Sequence, residues 1–255
     1  MTLDLSKGRR FLATRGAPSG LVVGVTGAHY YGFPSPDSDL DLKGIHVAPT
    51  HEVVALHPPP DSVDFLGIFE GVEIDYTSHE LAFALRLLLK GNGNILERIL
   101  SPHQLLESDA ATELQALGRM AVSKKFFHHY RGFFGRMCLD WSKAETKSVK
   151  GLLYAYRSAL TGIHLLRTGE CVGDITRLAP VYDFHRVPDL VARKIGGPEH
   201  GQLAATAAEF DPDLDRLESL LDEAHRASPL PAETPNAAAL DQFLVRMRRR
   251  HFASH

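Results

Sequence analysis

Residues 24–47 read GVTGAHYYGFPSPDSDLDLKGIHV: a glycine turn, a proline-bearing connection, then two aspartates, Asp39 and Asp41, at the head of an alternating run. Side chains at i and i+2 of a strand share a face, so Asp39 and Asp41 project together while Leu40 and Leu42 turn towards a core. Pro-Asp-Ser-Asp is also good turn chemistry, but the apolar alternation that follows it favours a strand. Two neighbouring carboxylates repel unless a cation lies between them. Hard oxygen ligands at this spacing suit Mg²⁺, which keeps coordination positions for water and phosphate oxygens.

Working outward, residues 22–25 and 40–47 read as strands joined by the long turn, and residues 63–69 and 71–76 as a further pair. In the last of these, Val72 and Ile74 alternate with Glu73 and Asp75, giving one apolar and one acidic face. From Ser78 the apolar spacing becomes helical through Leu81, Ala84, Leu85 and Leu88, with Ser78 as expected N-cap and Gly91 as stop. No proline occurs between Pro102 and Pro180, and that span predicts several helices. A helical pattern follows over 203–225, then the proline-rich linker 228–235, then a last helix over 236–252 that contains Arg248-Arg249-Arg250. The expectation is an α+β chain: a small mixed sheet with flanking helices in a domain of residues 1–105, followed by an all-α domain of residues 106–255. No internal repeat is visible.

The chain has 255 residues, 44% hydrophobic and 23% charged, which is ordinary for a globular protein of one large or two smaller domains. Cys138 and Cys171 lie far apart, form no metal-ligand pair and suggest a reducing compartment. No run approaches the ~18 apolar residues of a membrane span, and the start lacks an apolar leader core, so the cytoplasm is the default expectation. The net charge of −3 hides an asymmetry. Residues 1–105 carry 8 Lys and Arg against 12 Asp and Glu, whereas residues 119–167 carry 10 against 2. A basic stretch beside an acidic, cation-loading one suits polyphosphate or nucleic acid, although a charge run is as often a solvated helix face.

The run of Gly27, Ala28, His29, Tyr30, Tyr31 and Gly32, then Pro34, Pro36, Ser38, Asp39, Asp41, Lys43 and Gly44 resembles the nucleotidyltransferase superfamily of DNA polymerase β. The closer likeness is to its bacterial branch associated with RNA repair. The resemblance continues through Glu73-Ile74-Asp75 and residues 90–102, and more weakly through 123–134 and 147–157. It implies a metal-dependent transfer of a nucleoside monophosphate from an NTP to an acceptor hydroxyl, RNA among the candidates, with release of pyrophosphate. Two Mg²⁺ (or Mn²⁺) ions would be held by Asp39, Asp41 and a third acid from a neighbouring strand. Glu73 and Asp75 share the acidic face there; the resemblance favours Asp75, with Glu73 as alternate. Gly27, Ala28, Ser38 and Lys43 fall at nucleotide-binding positions, with ion pairing the expected role of Lys43. The family's serine after the first glycine is Ala28 here, which removes a hydroxyl from the phosphate turn and leaves backbone N–H groups to do the cradling.

In the helical part, Lys147, Lys150, Tyr154, Arg157, Thr161 and His164 recur at intervals of three and four, a polar stripe on one expected helix. Lys150 and Arg157 match basic family positions, and with Tyr154 they are expected nucleotide contacts able to meet phosphate oxygens and stack a base. Arg157 with His164, and Arg193 with His200, also fit the Arg-x₆-His spacing of some helical ribonucleases, a weak signal among 14 histidines. Lys124, Lys125, His128, His129 and Arg131, interleaved with Phe126, Phe127 and Tyr130, are candidates for an RNA-stacking patch, against the commoner use of aromatics at helical spacing as core. The rival reading from a different class is a catalytically weak nucleotide- or RNA-binding module, for which Ala28 is the main support.

Overall fold

The computed structural model describes residues 4–14, 20–196 and 207–252. In chain order its elements are α1 (Leu5–Thr14), β1 (Gly20–Val25), α2 (Gly27–Tyr31), β2 (Leu40–His46), α3 (Thr50–Val53), β3 (Ser62–Phe69), β4 (Val72–Glu80), α4 (Leu81–Leu89), α5 (Gly93–Leu100) and α6 (Asp109–Met120). There follow α7 (Phe126–Lys143), α8 (Val149–Thr168), α9 (Ile175–Val181), α10 (Val187–Gly196), a 3₁₀ turn (Ala207–Phe210), α11 (Asp211–Ala227) and α12 (Ala237–Arg250). The chain forms two compact units. Among the described residues, one comprises 4–14, 20–29, 39–121 and 234–252; the other comprises 30–38, 122–196 and 207–233.

The first unit is built on a four-stranded mixed sheet in the order β1-β2-β4-β3. β1 and β3 run antiparallel to their neighbours, and β2 pairs with β4 in parallel. One sheet face is closed by α1: Phe11 packs with Val23, Val25, Leu40, Leu42, Ile74 and Tyr76, its ring 5.1 Å from Phe65 and 5.8 Å from Tyr76. β3 and β4 are joined through Glu70 and Gly71, both at positive φ, the two-residue geometry that matches hairpin twist and that glycine adopts at least cost. The opposite face of β2 and β4 carries Asp41, Lys43, Glu73, Asp75 and Thr77, none of them buried.

Two local expectations change. β4 runs on to Glu80, so Ser78 is a strand residue, buried and bonded through Oγ to His46 Nδ1 at 2.9 Å. The cap of α4 is Glu80, whose carboxylate accepts from Ala82 N at 2.7 Å; the period-2 alternation continues to Glu80, four residues beyond the expected strand end at Tyr76. α6 and α12 group with the sheet. The reason for α12 lies in Arg248: it donates to Glu80 Oε1 (2.6 Å) and to the Ala48 carbonyl (3.2 Å), and its own carbonyl accepts from Thr50 Oγ1 (2.6 Å). Leu203, in the expected 203–225 helix, lies outside the described residues, and α11 opens at Asp211.

The second unit is helical, organised on α8. Ser148 caps its first turn by accepting from Gly151 N, and Gly169 at φ 80 ends it. α7 and α11 pack along it, burying Phe126, Tyr130 and Phe134 from one and Leu217 and Leu221 from the other. No helix among the described residues is long and apolar enough to cross a membrane.

Candidate active site

Asp41 and Asp75 are Cα partners on the parallel strands β2 and β4. Residues in register on parallel strands lie roughly 4.8 Å apart and point the same way, so the two side chains emerge side by side from the sheet face opposite α1. Asp39 stands two residues before Asp41, just ahead of β2, and is exposed; Glu73 is exposed on the same face as Asp75. Lys43 occupies the next position along that face. Its ammonium meets Asp75 Oδ1 at 2.7 Å and lies 3.4 Å from the Asp75 carbonyl and 3.5 Å from Thr77 Oγ1. The lysine therefore offsets one of the two adjoining carboxylates, the ion-pairing role expected of it.

Above this pair sits the glycine turn. Thr26 N donates to the Asp41 carbonyl at 2.9 Å, which carries β1 across β2 and into the turn. Gly27 has φ +62, and a Cβ there would collide with the Asp41 carboxylate. Both facts demand glycine: the left-handed backbone disfavours side chains, and the approach to Asp41 leaves no room for one. Ala28 follows, half-buried, in the short helix α2.

Among the described residues no three His, Cys, Asp and Glu side chains come together in a way that would hold a metal ion. What is assembled is the Asp41 and Asp75 pair with Lys43, and Asp39 close by in sequence. Two adjacent carboxylates are the hard oxygen donors a divalent cation takes, so the donor set fits one.

In the helical unit the expected stripe divides. Lys147 precedes α8 and is tied to the carbonyls of Trp141 and Ser142, the latter at 2.9 Å. Lys150 and Tyr154 are half-buried, with the Tyr154 ring 5.8 Å from both Tyr31 and Phe33. Arg157 is 2% exposed; its guanidinium stacks 3.9 Å over the Tyr31 ring and donates to the Tyr31 hydroxyl. Thr161 is fully buried. His164 bonds through Nδ1 to the Tyr182 hydroxyl at 3.0 Å, and burial pulls its pKa down. His200 lies outside the described residues. Ser38 closes a tight turn with Ser35. In the candidate RNA patch Phe126 and Tyr130 are buried and His128 is exposed, Phe127 stacks on His225, Arg131 pairs with Glu218 and Asp222, and Lys125 pairs with Glu233.

Sequence reasoning missed Lys194, which is 3% exposed and donates to Ser35 Oγ (2.8 Å) and Ser38 Oγ (3.2 Å). Its signal was available: Val187, Leu190, Val191 and Lys194 fall at i, i+3, i+4 and i+7, which puts the lysine on the apolar face of α10.

This glycine turn and aspartate pair lie within the stretch matched by a nucleotidyltransferase family model. The model of the RNA repair pathway DNA polymerase beta family matches residues 21–246, and the chain belongs to that family. It is similar to an uncharacterized protein of Methanocaldococcus jannaschii, 28% identical over 230 residues that make up 88% of this chain and 93% of that one. Among solved structures it matches a nucleotidyltransferase-like protein of Exiguobacterium sibiricum at 13% identity, covering 97% of this chain and 77% of the other with a TM-score of 0.33. Polymerase β-like nucleotidyltransferases generally use divalent metals.

Proposed function

We propose that the protein transfers a nucleoside monophosphate from an NTP to an acceptor hydroxyl and releases pyrophosphate. The observation that carries this reading is the register pairing of Asp41 with Asp75 on the sheet face opposite α1, beneath the Gly27 turn. Asp39, Asp41 and Asp75, with Glu73 as alternate, hold two Mg²⁺ or Mn²⁺ ions. Bound there, the metal supplies charge neutralisation on the triphosphate and lowers the pKa of the attacking hydroxyl. The chain's own groups do the remaining work. Lys43 meets a phosphate oxygen or pairs with Asp75, Gly27 and Ala28 offer backbone N–H groups, and Ser38 a hydroxyl. Lys150 and Tyr154 contribute donors and an aromatic face, and Arg157, buried against Tyr31, supports them. Residues 1–105 carry the chemistry, and the helices within 106–255 serve nucleotide and acceptor. The family's description, which names RNA repair, favours an RNA acceptor.

A second reading, a catalytically weak nucleotide- or RNA-binding module, is favoured by Ala28 at the position of the family's serine. Incubation with α-labelled NTPs, Mg²⁺ and a panel of RNA, protein and small-molecule acceptors separates the two. Transfer reads as label on an acceptor with equimolar pyrophosphate; NTP binding without turnover on any acceptor supports the module. Full transfer by Asp41→Ala would refute the assignment of the site.

A further inference from the structure

Lysines rarely go fully inside unless their ammonium finds partners, yet Lys194 is 3% exposed. Its partners include both serines of a single turn. Ser38 N donates to the Ser35 carbonyl at 3.0 Å, Ser38 Oγ accepts from Ser35 N at 2.9 Å, and the two hydroxyls lie 3.0 Å apart. The ammonium reaches both hydroxyls and lies 5.9 Å from the Phe33 ring centroid. Asp37, inside the turn, accepts a hydrogen bond from the Ser35 hydroxyl. The protons close consistently: Ser35 gives its hydroxyl proton to Asp37 and accepts from Lys194, and Ser38 accepts from Lys194 and from Ser35 N. A buried cation thus holds four residues, 35–38, in one shape, and the next residue in the chain is Asp39.

We propose that Lys194 is a positioning residue for nucleotide binding: it fixes the 35–38 turn, and through it the hydroxyl of Ser38 and the point at which the chain enters Asp39. The catalytic consequence rests on the transfer reaction proposed above; the hold on the turn does not. Charge-assisted hydrogen bonds are stronger than neutral ones, so neutralising the lysine should release the turn locally before it unfolds the chain.

The test is hydrogen–deuterium exchange on the full chain together with calorimetric binding of a non-hydrolysable NTP and Mg²⁺. In Lys194→Met the Ser35 and Ser38 amides should exchange at least about tenfold faster, with the strands unchanged, and the Mg²⁺ needed for half-maximal NTP binding should rise about fivefold. Lys194→Arg, which keeps the charge, should recover part of both. If Lys194→Met does not fold, Ser35→Ala, which leaves the lysine in place, should show the same two changes. Unchanged exchange at Ser35 and Ser38 overturns the proposal. Faster exchange with unaltered NTP·Mg²⁺ binding overturns it as well, because Lys194 would then be structural alone. A wild-type chain that binds no NTP is a distinct outcome, seen before any substitution: it removes the transfer reading and the role in binding, while the exchange result still decides whether Lys194 holds the turn.

Discussion

Gly27 rests directly on Asp41: a Cβ at residue 27 would occupy the space of the Asp41 carboxylate, and the backbone there has φ +62. The turn and the acid are therefore one structural object, and a change in the turn is felt at the acid. Gly27→Ala should destabilise the fold by about 1–3 kcal/mol in urea unfolding, from backbone strain alone. Displacement of Asp41 should lower nucleotidyl transfer about 10²-fold at saturating NTP. An Ala variant with wild-type transfer would show that Asp41 tolerates displacement.

Ala28→Ser introduces a hydroxyl into the glycine turn, at the position where the resemblance implies a serine. If the turn cradles a phosphate, the added charge-assisted hydrogen bond should tighten NTP binding by about tenfold in calorimetry. Unchanged or weaker binding would place the phosphate elsewhere.

The Arg248–Glu80 ion pair, 2.6 Å between side chains 15% and 7% exposed, ties α12 to the sheet unit. Removing one partner of a buried pair leaves the other uncompensated, so Arg248→Ala should cost about 3 kcal/mol of unfolding free energy. Arg249, exposed on the same helix, should change by no more than ~0.5 kcal/mol on the same substitution. Equal effects would mean that the pair contributes nothing.

Burial pushes the His129 imidazole down to about 4, with the Arg157 charge adding to it, and its Nε2 is buried without a hydrogen-bond partner. The folded chain keeps this histidine neutral, whereas the unfolded chain protonates it near its ordinary value of about 6.5. Stability is therefore complete above pH 6.5 and falls as pH drops towards 4, by about 2 kcal/mol for this group. Urea midpoints across that range should show the loss, and His129→Gln should flatten it. A slope unchanged in the variant assigns it to other groups, such as His79, also brought down to about 4 by burial.

The strands around Asp41 and Asp75 were legible because alternation reports a sheet with one buried face, and that face is the one Leu40, Leu42, Ile74 and Tyr76 share. The register between β2 and β4 was not legible, since parallel pairing is set by tertiary contacts rather than by either strand. Ser78 misled because serine caps helices and lines strands equally well, and only its bond to His46 decides. The polar stripe of α8 was correctly spaced, but periodicity gives a face and not its surroundings. Arg157 and Thr161 face the inside of the helical unit, where Tyr31 receives the arginine. The basic balance of 119–167 likewise hid its partners, because Glu218, Asp222 and Glu233 come from far along the chain.

The central claim is that Asp41 and Asp75 share divalent cations that serve the triphosphate. Mn²⁺ binding followed by electron paramagnetic resonance, with a non-hydrolysable NTP present, tests it without relying on an acceptor. The account predicts uptake of two Mn²⁺ ions per wild-type chain, and loss of at least one ion in both Asp41→Asn and Asp75→Asn while the thermal transition is kept. Wild-type uptake in Asp75→Asn would contradict it.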